Sequence, residues 1–194
     1  MEKKLNICPC MIDLTPYIIL SKPQLGENIG STARAMKNFG IEKLRLIEPR
    51  DGWPNSSAYA ISAGADDVLN KTNVYKSLKE ATKDISLLFA TTARKRVIGT
   101  KSLDIFEAID KSFHHVVNGG KVGFLFGPEQ SGLSNDDVVQ ADYTISIPLN
   151  QNFSSLNLSQ AVLLICWEWN KFKMSYFKEG NAPIKVCLLY TSDA

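Results

Sequence analysis

Histidine and cysteine are scarce in this chain, with two of the first and four of the second in 194 residues. His114 and His115 are neighbours, so on a helix their side chains point about 100° apart and do not converge on one proton or one ion. Cys8-Pro-Cys10 lacks the second ligand pair that a zinc site needs. Cys166 lies in an apolar run, as a buried small hydrophobe does. No metal is expected, and neither is a disulfide framework or a signal peptide, which points to a reducing cytoplasm. The apolar run Ala161–Trp167 is far short of the roughly 20 residues that cross a bilayer, so no membrane partner is expected.

The loops that mark common nucleotide and hydrolase sites are missing too. No G-x-G-x-x-G follows the first apolar run and no G-x-x-x-x-G-K-[ST] occurs, which argues against dinucleotide and ATP chemistry. There is no G-x-S-x-G elbow to carry a nucleophilic serine. The net charge of +2 does not announce a nucleic-acid partner, but it is unevenly spread. Residues 1–100 hold 15 Lys/Arg against 10 Asp/Glu, and the remainder 7 against 10. A mildly basic first half suits phosphate, and it equally suits a solvated surface.

What is present is an ordinary globular composition, 44% apolar and 22% charged, in a chain long enough for one domain with a sizeable core. Five compact apolar runs read as strands: Tyr17–Leu20, Leu44–Ile47, Ile85–Ala90, Val122–Phe126 and Tyr143–Ile147. Helical stretches alternate with them, from about Asn28 to Phe39, through Ala58 and Ile61, from Ser77 to Lys83, Leu103 to Val117, after Ser134, and from about Leu156 to Lys173. This alternation predicts an α/β fold with a mainly parallel sheet and helices on both faces. Asn28 suits a helix N-cap, Gly40 the position after a helix, and Ser134 with Asp137 a capping box. Ile29, Ala33 and Met36 fall on one face; Arg34 stands beside that stripe, with Gly30 one turn earlier leaving its approach uncovered. Residues 1–15 read as an appendage, 16–174 as the domain and 175–194 as an irregular tail.

Three segments, each at the end of a strand or the start of a helix, stand out in order. They are Asn28-Ile29-Gly30-Ser31-Thr32-Ala33-Arg34, Gly127-Pro128-Glu129-Gln130-Ser131-Gly132-Leu133 and Ser155-Leu156-Asn157-Leu158-Ser159-Gln160-Ala161-Val162. Together they resemble the signature motifs of the SpoU (TrmH-type) RNA 2′-O-ribose methyltransferases of the SPOUT superfamily, over roughly Tyr17 to Lys173. Ala63-Gly64-Ala65, Thr91-Thr92-Ala93-Arg94 and Phe153-Ser154-Ser155-Leu156-Asn157-Leu158 lean toward the members that act on the ribose of nucleotide 32 in the tRNA anticodon loop.

The resemblance implies an α/β domain whose C-terminal part forms a deep trefoil knot, and a homodimer packed through that region. It implies S-adenosylmethionine held largely by backbone groups of three loops: Thr91, Thr92 and Ala93, then Gly127, then Ile147, and last Ser154, Ser155 and Leu156. Gly127 would let the ligand approach the main chain without a Cβ in the way. It marks Arg34 as catalytic, with Asn28, Glu129, Ser155 and Asn157 around it. A free guanidinium has a pKa above ~12, so binding a phosphate and stabilising charge suits Arg34 better than acting as a base. Three of these supporting residues also have a structural alternative. Asn28 and Ser155 are possible helix caps, and Glu129 suits anchoring either Arg34 or a loop amide. Arg94, Lys95 and Arg96 fit RNA phosphates or a solvated loop. Two other functions stand beside tRNA methylation: a ribosomal RNA 2′-O-methyltransferase, and a catalytically silent RNA-binding paralogue.

Overall fold

Every strand ladder in the described part of the molecule is parallel. The computed structural model describes residues 13–92, 101–150, 152–153 and 155–179. In chain order the elements are β1 (Tyr17–Ser21), α1 (Gly26–Asn38), β2 (Lys43–Ile47), α2 (Ser56–Ile61), α3 (Asp66–Asn70), β3 (Asn73–Tyr75) and α4 (Leu78–Ala81). They continue with β4 (Leu87–Thr91), β5 (Lys101–Asp104), α5 (Ile105–Val117), β6 (Val122–Phe126), α6 (Asn135–Val139), β7 (Tyr143–Ser146) and α7 (Leu158–Lys178). The seven strands lie in the order β3-β2-β1-β6-β4-β7-β5.

The strand sequences sort their side chains between two cores, as the two-residue period requires. Ile18, Leu20, Leu44, Leu46, Phe89, Phe124 and Phe126 join the core under α1, α2, α3, α5 and α7. Ile19, Ile47, Leu88, Ala90 and Leu125 point the other way, under the short helices α4 and α6. Both faces are covered, which is why the central strands read as continuous apolar runs. Arg45, on the smaller side, is a buried cation. It lies over the Tyr17 ring at 4.0 Å and bonds both oxygens of Asp84 at 2.6 and 3.0 Å. Those bonds, with a third from Lys121, hold the Asp84 carboxyl well below the usual carboxylate range. Because the folded pKa is depressed, that contribution is present above the ordinary value of about 4 and is lost as pH falls toward the folded one.

Several boundaries differ from the sequence reading. Helix α1 starts at Gly26, with Leu25 as N-cap and no side-chain cap, so Asn28 is inside the first turn and is not the cap. Lys101–Asp104 is a strand, and the helix that follows begins at Ile105 under an Asp104–Glu107 capping box. The capping box of Ser134 with Asp137 is formed. Asn157, rather than Ser155, caps α7, and that helix continues past Lys173 to Lys178. Leu14, read as part of an appendage, belongs to the body: it is buried and its carbonyl accepts a bond from the Trp169 indole at 3.1 Å.

Gly30 has a different use from the one its position suggests. A Cβ there would stand 2.1 Å from the Ala58 carbonyl oxygen, so glycine is what allows α1 and α2 to cross closely. Gly30 is thus explained by the α1–α2 crossing, while Arg34 one turn later is itself exposed. Among the described residues no helix is long and apolar enough to cross a membrane.

Candidate active site

Strand β1 sends its chain to one side of the sheet, toward β2, and β6 sends its chain to the other, toward β7. Ligands of open α/β sheets bind where the direction reverses, beyond the carboxyl ends of the strands. At this reversal the loop after β6 meets the loop after β1. Glu129 accepts the backbone N–H of Gln24 at 2.8 Å with one oxygen, and that of Leu25 at 3.3 Å with the other. The second oxygen also accepts the Asn28 amide at 2.8 Å. Glu129 thus fixes, from 101 residues beyond Asn28, the two backbone N–H groups that lead into α1 and the amide in its first turn, and it sets a carboxylate at the positive end of the helix.

The network continues through amides. The Asn28 side-chain oxygen accepts from the Asn157 amide nitrogen at 3.0 Å. The Asn157 oxygen in turn accepts the Ser159 N–H at 2.9 Å and the Ser159 hydroxyl at 2.7 Å, capping α7. Every donor meets an acceptor, so one hydrogen-bonded line joins the loop after β6, the first turn of α1 and the first turn of α7. Asn28, at 8% exposure, is the buried middle of it. The sequence alone offered a cap or catalysis for Asn28, and for Glu129 an anchor for Arg34 or for a loop amide, of which the loop amides are the ones it holds. The bonds of both residues show a tertiary clamp.

Beside the clamp lies a cleft of about 330 Å³. Thr91, Thr92, Gly127, Ile147, Ser155 and Leu156 all line it, as does Glu129. Of its other walls, Leu149, not singled out by sequence, extends the apolar side begun by Ile147, and Gln130 to Leu133 come from the second of the three segments. The two-residue spacing of Ile147 and Leu149 is the signal that would have found Leu149. Thr91 is held by its hydroxyl to the Leu125 carbonyl at 2.9 Å, and the Thr92 N–H bonds the Ile145 carbonyl at 3.0 Å. Gly127 owes its lack of a side chain to its own loop. A Cβ would lie 2.3 Å from the Leu133 nitrogen, where the segment folds back with Gly132 at φ +66°. An apolar wall facing strand-end backbone suits an adenosine group, with hydroxyls and amides at the clamp end for polar substituents.

Arg34 is not in this cluster. It is exposed on the outer side of α1, and among the described residues it makes no hydrogen bond or ion pair. Glu129 spends its bonds on Gln24, Leu25 and Asn28 and does not anchor it. Ala93, Arg94, Lys95, Arg96 and Ser154 lie outside the described residues, as do Cys8, Cys10 and Cys187. A second hollow, of about 350 Å³, sits at the amino ends of β1, β2 and β3. Its lysines are already paired, Lys43 with Asp13 and Lys71 with Glu42, each at 2.6 Å, and it is remote from the strand ends where ligands bind.

A doubly covered parallel sheet with a clamped cleft at its reversal point is the frame of a small-ligand α/β enzyme. The chain belongs to the SpoU rRNA Methylase family, which it matches over residues 15–167. It is 33% identical over 176 residues to the tRNA (cytidine/uridine/adenosine-2′-O-)-methyltransferase TrmJ of Pseudomonas aeruginosa, covering 91% of this chain and 66% of that protein. An uncharacterized tRNA/rRNA methyltransferase of Haemophilus influenzae is 34% identical over 172 residues, covering 89% and 68%. The chain thus spans about two thirds of the length of these relatives. Among solved structures, TrmJ from Z. mobilis ZM4 is 43% identical with a TM-score of 0.78, over 86% of this chain and 81% of that one.

Proposed function

We propose that this chain methylates the ribose 2′-oxygen of a tRNA nucleotide, the cytidine or uridine at position 32 of the anticodon loop, with S-adenosylmethionine as methyl donor. The observation that carries this reading is the single line of bonds Glu129–Asn28–Asn157 at the lip of the cleft. It joins the three family segments at one place. The donor would lie against Ile147, Leu149 and Leu156, with Thr91, Thr92, Ala93, Gly127, Ser154 and Ser155 around it. It supplies a methyl group already activated on a sulfonium. What remains for the protein is alignment and charge. Asn28 and Asn157 fix the floor on which the ribose settles, and Ser155 stands free at the rim to bond ribose or donor. Arg34, uncommitted on the surface, takes the neighbouring phosphate and favours loss of the hydroxyl proton to a phosphate oxygen or to water. Arg94, Lys95 and Arg96 follow β4 and extend the phosphate contacts. The setting is the cytoplasm.

The same reading includes the family's trefoil knot over Phe124 to Asn157, supported by the meeting of the β6 exit, the β7 exit and the α7 start at one cleft. It also includes a homodimer. Helix α7 buries Leu158, Val162, Ile165 and Trp169 in the domain. It leaves Leu163, Trp167, Met174 and Phe177 exposed. With Asn170 these recur at alternating spacings of four and three, which makes a second seam on the same helix. Trp167 meets Phe39 edge-on at 5.9 Å, so the seam continues onto the end of α1. Light scattering at micromolar concentration should give twice the chain mass, and Trp167→Glu should give the chain mass. A monomeric wild type removes the dimer from the reading.

The activity is tested by incubating the protein with labelled S-adenosylmethionine and bulk tRNA that lacks its own 2′-O-methyl groups, then identifying the labelled nucleoside. Ribose-methylated cytidine or uridine is expected, and one 2′-deoxy substitution at the target should abolish product because the accepting oxygen is gone. Label on a base sinks the reading. Label in ribosomal RNA alone moves the substrate, and no label in any RNA leaves a silent RNA-binding module.

A further inference from the structure

Phe153 is the most exposed large hydrophobic side chain among the described residues, at 74%. It stands on a built turn. Its N–H bonds the Asn150 carbonyl at 3.0 Å, and the Asn150 side-chain oxygen accepts the Asn152 N–H at 2.9 Å. The turn is tethered at its far end, since Ser155 and Leu156 line the cleft and Asn157 is bonded to Asn28. Phe153 therefore stands on a braced turn between Leu149 and Ser155, both of which line the cleft.

The other exposed large aromatics have company. Phe106 carries Lys171 over its ring, Trp167 meets Phe39, and Phe177 meets Tyr176. Phe153 makes no such contact among the described residues. Its sequence neighbours are Asn150, Gln151, Asn152, Ser154 and Ser155, amides and hydroxyls throughout. A protein partner would call for more apolar area around the ring. A flat apolar face flanked along the chain by hydrogen-bonding residues fits a nucleobase, which has a π-face and polar edges. Proteins that read single-stranded RNA stack splayed bases on aromatic side chains in this way.

Building on the RNA reading above, we propose that Phe153 stacks on the base of the nucleotide whose ribose is methylated, and so acts as a positioning and selectivity residue. The base would be gripped by its face while the sugar is turned toward the clamp. The reaction stays on the ribose, and the base serves only as a handle.

The test uses an unmodified tRNA transcript that the wild-type chain methylates, and the same RNA with an abasic ribose, 2′-hydroxyl retained, at the methylated position. On intact RNA, Phe153→Ala should lose roughly ten- to a hundredfold in kcat/KM, mostly through KM, with a matching rise in RNA Kd. Phe153→Trp should keep near wild-type values and Phe153→Leu should not, since the contact needs a ring and not only bulk. On abasic RNA, wild type and Phe153→Ala should coincide in kcat/KM and in RNA Kd, because the partner of the ring has been removed. An equal penalty for Phe153→Ala on both RNAs overturns the proposal, as does rescue by leucine. A tenfold weaker S-adenosylmethionine Kd in Phe153→Ala would make the ring a wall of the donor site, and a halved mass would make it an interface residue; either result overturns it too. A wild type that methylates no RNA ribose refutes the parent reading instead, and is seen before any variant is made.

Discussion

Arg34→Ala should reduce methyl transfer by on the order of 10²–10³-fold while leaving S-adenosylmethionine binding within about threefold of wild type (roughly 0.7 kcal/mol). The separation follows from where the side chain stands. Arg34 is on the exposed side of α1, away from every wall of the cleft and outside the line from Glu129 to Asn157. Its removal leaves the donor site and its scaffold untouched. On the proposed reading, what is lost is a planar cation that would grip phosphate with two parallel bonds and stabilise the developing oxyanion. Arg34→Lys should stay badly impaired, because an ammonium keeps the charge without the fork. Calorimetric titration with S-adenosylmethionine beside a single-turnover assay reads both quantities. If Arg34→Ala lost donor binding, the side chain would belong to the cleft and the assignment of sides would be reversed.

The second large effect is at Glu129, where stability and activity should fall together. In Glu129→Ala three donors lose their acceptor: the N–H groups of Gln24 and Leu25 and the Asn28 amide. Leaving such groups unmet costs about 1–3 kcal/mol where they are buried. Asn28 is buried, and the two backbone groups are partly reached by water, so about 2 kcal/mol is a reasonable sum. That corresponds to a melting temperature lower by roughly 4–8 °C for a chain of this size. Glu129→Gln should do nearly as badly. Its single oxygen serves one side of the clamp, and its NH₂ turns a donor toward the donors on the other. A carboxylate acting only on substrate predicts the opposite pattern for Glu129→Gln, lost activity with an unchanged melting temperature. A thermal melt of that variant decides between them.

The sequence showed the sheet's interior better than its margins. β1, β2, β4, β6 and β7 are apolar runs because helices cover both their faces. β3 and β5 are the two edges of the sheet, three and four residues long, with most side chains exposed. Asn-Val-Tyr and Lys-Ser-Leu-Asp have no period to detect, and their pairing is fixed by backbone bonds to strands already in place. The site divides similarly. Residues contributing a strand-end backbone or a cleft wall were legible from the motifs: Thr91, Thr92, Gly127, Ile147, Ser155 and Leu156. What Asn28 holds was not, since an amide in the first turn looks like a cap until its partner, 129 residues away in Asn157, is known; for Glu129 the sequence named a loop amide as one of two partners but not which loop. Gly30 misled for a related reason. Its use is set by Ala58 on another helix, and nothing local to α1 encodes that.

The strand order also bears on how the chain is made. β6 lies between β1 and β4, so these two have no mutual ladder and wait for a segment translated well after both. While the ribosome is still adding residues 92 to 121, the nascent chain holds β1–β2–β3 as one raft and β4 as a loose apolar strand, each with an open hydrogen-bonding edge. At about 5–20 residues per second that interval lasts a few seconds. Exposed parallel edges are templates for pairing with other chains. The arrival of Val122–Phe126 closes both edges at once, and it delivers Glu129 to the start of α1 in the same movement.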